Sequence, residues 1–133
     1  ALGRKLLTHV SDVMRSGDAV PRVDPDATFN ELMKQISAKS VGATAIVSPT
    51  NHVLGIFTDG DLRRLIEKGF DLRQVSAKEV MHTSPRTIRV NELAAMAAEM
   101  METHSTTSIL VLDADDKLCG IVHISDLMRA KVI

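Results

Sequence analysis

Hydrophobic positions along the chain follow two periods. Leu32, Met33 and Ile36 lie three, four and seven positions after Phe29, the spacing of one apolar stripe on a helix, predicted over 26–39. Leu93, Met96, Ala97, Met100 and Met101 predict a second such helix over 91–104. Asp26 and Asn91 are the expected N-caps. Near-continuous apolar runs at 44–47, 53–57, 108–112 and 118–123 read as strands covered by helices on at least one face. Turn-rich links at 48–52 and 113–117 join them in pairs. Shorter extended segments are expected at 20–23 and 87–90, and closing helices at 59–68, ended by Gly69, and at 124–131. The order is strand, helix, strand, strand, helix, twice, with 70–77 as connector.

The second half repeats the first. Gly55-Ile56-Phe57-Thr58-Asp59-Gly60-Asp61-Leu62-Arg63-Arg64 aligns with Gly120-Ile121-Val122-His123-Ile124-Ser125-Asp126-Leu127-Met128-Arg129 at an offset of 65. Upstream, Ser11-Asp12-Val13-Met14 aligns with Lys78-Glu79-Val80-Met81 at an offset of 67. Copies of about 60 residues bury little surface alone. The expected fold is therefore α/β (α+β): two β-α-β-β-α repeats, 10–69 and 78–133, packed sheet against sheet about a pseudo-twofold axis. Ligand sites favour the cleft such a pair leaves between its copies. The chain opens without Met and in mid-pattern, so 1–9 reads as a linker from a preceding domain.

Composition narrows the classes. The 133 residues are 44% hydrophobic and 25% charged, with a net charge of -1, an ordinary globular balance. A nucleic-acid partner is not expected, because neither a basic field nor aromatic stacking platforms are present; the three aromatics are all Phe. No apolar run approaches the roughly 20 residues of a bilayer span, so no membrane partner is expected. Cys119 is the only cysteine, which leaves no internal disulfide or multi-cysteine zinc site and suits a reducing cytoplasm. It is expected to be an inert core residue. The five histidines show no metal-ligand spacing.

The chemistry concentrates at the strand-to-helix junction Gly55–Asp61. Backbone N–H groups at a helix start attract phosphate. The Thr58 hydroxyl can donate to a phosphate oxygen, and Asp61 can accept from the two hydroxyls of a ribose. Gly60 removes a side chain where a ligand approaches. The alternative is that Thr58 or Asp59 only caps the helix; repetition of Gly-Ile-x-x-x-x-Asp weighs toward binding. Arg63, Arg64 and Lys68 either reach a phosphate or form a solvated face. An acid–base enzyme pairing Asp61 with His82 or His123 is a further reading, without a nucleophile motif or metal cluster to accompany it.

Val13-Met14, Val80-Met81, Pro85-x-Thr87-Ile88 and the run Gly55 to Asp61 together resemble a tandem pair of CBS domains over residues 8–131. The resemblance implies a regulatory module with no obligatory cofactor, binding a nucleotide between its copies. Thr58 and Asp61 would share that ligand with His82, Thr87, Thr106 and Thr107, with Ile56 lining the base or sugar. The second copy carries His123 where the family has Thr or Ser, and keeps Asp126, as a possible second site. The opening Ala1 to Leu7 and the runs at 57–64 and 120–123 further resemble the C-terminal part of the bacterial D-arabinose 5-phosphate isomerases. In that family a sugar-isomerase (SIS) domain precedes the CBS pair and feeds 3-deoxy-D-manno-octulosonate (Kdo) and lipopolysaccharide synthesis. The implied partners are that SIS domain, other copies in a homo-oligomer, and a nucleotide effector: a CMP-sugar such as CMP-Kdo, or AMP or ATP. A purely structural oligomerisation module is the alternative.

Overall fold

A computed structural model describes residues 6–133; the first five positions of the expected linker lie outside the described residues. The elements in chain order are α1 (Val10–Val13), β1 (Arg22–Val23), α2 (Phe29–Lys39), β2 (Ala43–Val47), β3 (Val53–Thr58), α3 (Asp59–Glu67), α4 (Ala77–Val80), β4 (His82–Thr83), β5 (Thr87–Arg89), α5 (Ala94–His104), β6 (Ser108–Leu112), β7 (Leu118–His123) and α6 (Ile124–Arg129). Two sheets and six helices form the expected mixed α/β class.

The chain divides into two compact units, and their borders cut across the sequence copies. The first-copy unit is Pro21–Pro85. It therefore includes α4 and β4, which begin the second copy. The second-copy unit joins Arg86–Ile133 to the segment ending at Val20, and so holds α1 from the first copy.

In the first-copy unit the sheet order is β1-β2-β3-β4, with β1 parallel to β2 and the other pairs antiparallel. All five residues of β2 are buried. Leu32, Ile46, Phe57, Ala27 and Ala77 form the core, with Phe29, Met33 and Ile36 packed on it as the periodicity predicts. Phe29 meets Phe57 edge-on, ring centroids 6.1 Å apart, a favoured aromatic geometry.

In the second-copy unit β5 is parallel to β6 and β7 antiparallel to it. The copy start extends this sheet through a bridge between Arg15 and Ile121. The core gathers Val10, Ala94, Ala97, Met101, Val111, Val122 and Leu127, among others. The buried face of α5 is thus Ala94, Ala97 and Met101, while Leu93 and Met96 are exposed. Of the expected stripe, Ala97 and Met101 are buried and Met100 packs half-buried against the core, whereas Leu93 and Met96 face outward. Cys119 is half-buried against this core, and burial pushes its thiol pKa up.

Both expected N-caps are corrected. Asp26 lies in a turn in which its own N–H bonds Asp24 Oδ1 at 2.9 Å. α2 begins three residues later, where the Thr28 hydroxyl accepts from the Glu31 N–H. Asn91 is replaced by Leu93, whose side chain makes no cap bond. The Ala94 N–H instead donates to the Thr8 carbonyl at 2.8 Å, a cap supplied by distant chain. Gly69 ends α3 as expected: φ is +75°, its N–H reaches the Ile66 carbonyl, and the Phe70 N–H reaches Leu65. Lys131 repeats this motif after α6 at φ +60°.

Candidate functional site

The junction of β3 and α3 is a reciprocal cap. Thr58 is the last residue of an extended strand, so its hydroxyl points along the start of α3 and accepts from the Asp61 N–H at 3.2 Å. Asp61 reaches back with Oδ2 to the Thr58 N–H at 2.9 Å and to its hydroxyl at 3.0 Å. The expected capping role is therefore present, and it leaves Oδ1 for a different partner. That partner is Arg64, at 2.6 Å, whose side chain is 63% exposed against 17% for Asp61. An ion pair of this kind within one exposed helix face contributes about 0–1 kcal/mol, so Oδ1 exchanges Arg64 for another donor at little cost.

The matching turn of the second-copy unit holds the same frame in a tighter setting. His123 replaces Thr58 as cap: its Nδ1 accepts from the Ser125 N–H at 3.1 Å and lies 2.8 Å from the Ser125 hydroxyl. Asp126 Oδ2 accepts from the His123 N–H at 2.9 Å. Here Arg15 enters from the copy start, its Nε 3.2 Å from Oδ1 and 3.1 Å from Oδ2, and Arg129 lies 3.3 Å from Oδ1. The Asp126 side chain is only 5% exposed. Burial pushes this carboxyl up, but the Arg15 hydrogen bond, the His123 N–H and the charges of Arg15 and Arg129 together outweigh it. The net result is a pKa below the ordinary carboxylate value.

The first-copy unit brings five expected residues to one region. Ile56 lies beside His82 in the β3–β4 register, ahead of Thr58, Gly60 and Asp61. Gly60 is not crowded, since a Cβ there would find its nearest neighbour at 3.5 Å. Thr87, Thr106 and Thr107 belong to the second-copy unit with His123 and Asp126. Thr87 pairs with Leu110 on the sheet, the Thr107 carbonyl accepts the first N–H of α6 at 2.8 Å, and Thr106 is exposed beside the α5–α6 groove. Arg63, Arg64 and Lys68 are exposed. Among the described residues no group of His, Cys, Asp or Glu could hold a metal, and no helix is long and apolar enough to cross a membrane.

Sequence reasoning missed Arg15. The signal was present: at the offset of 67 that aligns Met14 with Met81, Arg15 aligns with His82. It also left the glycines of the repeated motif unexplained. A Cβ on Gly55 would fall 2.6 Å from Met81 Sδ and 2.9 Å from the His82 carbonyl, and one on Gly120 2.5 Å from Met14 Sδ and 2.9 Å from the Arg15 carbonyl. These glycines admit the copy starts, Met side chain and backbone together.

The chain matches the family model for the CBS domain over residues 10–68 and 77–133. It is 44% identical over its whole length to an arabinose 5-phosphate isomerase KdsD of Salmonella typhi, of which it covers 40%. It is 41% identical to that of Escherichia coli strain K12, again over the whole chain and 40% of the relative. The chain thus spans about 40% of the length of these curated relatives. Among solved structures it resembles CBSX2 in complex with AMP, with a TM-score of 0.79 and 23% identity over 94% of this chain and 96% of that one. It also resembles the CBS domain pair of MJ0100 in complex with 5-methylthioadenosine and S-adenosyl-L-methionine, with a TM-score of 0.82 and 19% identity over 94% and 96%. At these identities the structural likeness is one of fold.

Proposed function

Because the chain belongs to the CBS domain family, a family of regulatory modules, we propose that it senses a nucleotide or nucleotide-sugar at the Thr58–Asp61 turn of the first-copy unit. One observation carries this reading: Asp61 is anchored through Oδ2, while Oδ1 faces only the exposed Arg64. A ribose hydroxyl pair takes the place of that guanidinium. The Asp59 and Asp61 N–H groups are taken by the Gly42 carbonyl and the Thr58 hydroxyl, so the phosphate meets the Gly60 N–H and a Thr58 hydroxyl turned away from Asp61 Oδ2, and Ile56 and His82 line the base or sugar. The fold shared with CBSX2 and MJ0100, crystallised with AMP and with adenosyl ligands, supports a nucleoside as the ligand class.

The identity to KdsD supports a parent D-arabinose 5-phosphate isomerase, in which a SIS catalytic domain receives the signal. Kdo and lipopolysaccharide synthesis is then the regulated route. A CMP-sugar such as CMP-Kdo is a fitting end-product effector, and AMP or ATP the adenine alternative. Calorimetric titration of the chain with AMP, ATP, CMP and CMP-Kdo tests the site. One of them binds, and Asp61→Ala weakens it at least tenfold with the far-ultraviolet spectrum unchanged. Thr87→Ala, Thr106→Ala and Thr107→Ala in the same titration test the remaining expected contacts. Binding to none of the four, or equal binding by Asp61→Ala, overturns the reading.

A second reading, an oligomerisation module, rests on exposed Ile66 (61%) and Met128 (60%). Light scattering tests it: a monomer at high concentration removes it.

A further inference from the structure

The two capping turns derive from one repeated sequence, yet their carboxylates have different partners. Asp61 Oδ1 is held by a single, largely exposed arginine of its own helix, within one turn. Asp126 is held by Arg15, a residue 111 positions away on another segment, through contacts to both oxygens, and by Arg129 in addition. Arg15 also lies 3.5 Å from the Ser125 hydroxyl, so one guanidinium spans the acid and the hydroxyl at the head of α6. A ligand that needs Asp126 as acceptor must first break a part-buried, multiply bonded pair and part the nearly buried Asp126 from Arg15. At Asp61 it displaces only a surface pair.

We infer that Arg15 is a built-in counter-ion that closes the Asp126 turn to nucleotides, so that the chain is a one-site sensor. The inference deepens the reading above and rests on it for the ligand class. The two turns also differ at Thr58 against His123 and Gly60 against Ser125, but the difference that reaches the carboxylate is Arg15 against His82, which occupy matching backbone positions, beside Ile121 and beside Ile56. The fold accepts a histidine at this point of the sheet, because the first-copy unit is built with one.

The test is calorimetric stoichiometry on the whole chain with AMP and CMP as probes, for the unmodified protein, Arg15→His and Arg15→Gln, with folding followed by circular dichroism. Asp61→Ala reports on the first turn separately. The expected result is at most one equivalent for the unmodified chain, one further equivalent for either Arg15 variant, and loss of that increment when Asp126→Ala is added. Two equivalents on the unmodified chain, or no increment in folded variants, overturns the closure whatever Asp61→Ala does. Where both variants unfold, nuclear magnetic resonance of the unmodified chain decides. Saturating AMP or CMP leaves the Arg15 Nε–H signal in place; its movement overturns the proposal. Movement of the Thr58 amide tests the first turn independently.

Discussion

Met81 lies against the bare Cα of Gly55: a β-carbon there would sit 2.6 Å from its sulfur and 2.9 Å from the next carbonyl. Met14 stands in the same relation to Gly120. Each pair ties the start of one sequence copy to the sheet of the other. Sulfur can swing aside and backbone cannot, so the carbonyl contact sets the cost. Gly55→Ala and Gly120→Ala are each expected to destabilise their unit by about 1–3 kcal/mol through overpacking. Denaturant midpoints at constant m-value measure this. An unchanged midpoint in both variants refutes the tight approach.

Thr44 carries the one buried side-chain polar atom without a partner among the described residues. It is fully buried in β2, and the repeat offset places Ile109 at the matching position. Thr44→Val keeps the shape and removes an unsatisfied hydroxyl. It is expected to stabilise the fold by about 1 kcal/mol, read as a higher thermal midpoint. A lower midpoint would show that the hydroxyl has a use.

Asp126 makes stability depend on acid. Its folded pKa lies below the unfolded value. The stabilisation it confers is therefore complete above the unfolded pKa of about 4 and is lost as pH falls through the lower folded value. Asp126→Asn is expected to cost about 2–3 kcal/mol at pH 7, just short of the ~3–5 kcal/mol typical when a fully buried pair loses one member. The variant should also unfold less steeply below pH 4 than the parent. Parallel acid limbs in the two proteins would exclude this role for the carboxylate.

Gly69 and Lys131 adopt the same left-handed conformation after α3 and α6, at φ +75° and +60°. The glycine tolerates it and the lysine is strained by it. Lys131→Gly is expected to add about 0.5–1 kcal/mol of stability, and Gly69→Ala to remove about 1 kcal/mol. Thermal unfolding of the two variants side by side checks the signs, and a lower midpoint for Lys131→Gly or a higher one for Gly69→Ala would contradict the motif.

The chain pattern alone determined the strand-helix-strand-strand-helix order of each copy, the repeat, the α2 stripe of Phe29, Leu32, Met33 and Ile36, the Gly69 stop and the Thr58–Asp61 turn, but not α1, α4 or β4. Each of these depends on neighbours within a few residues, where period, chirality and side-chain reach act directly. Tertiary structure decided the rest. Thr8 caps α5 in place of Asn91, the copy starts lie with the opposite copy's sheet, and Arg15 crosses to Asp126. A buried charge takes whichever donor the fold brings within hydrogen-bond reach, and a spare N–H takes whichever carbonyl arrives. Local sequence spacing carries no record of such long-range partners.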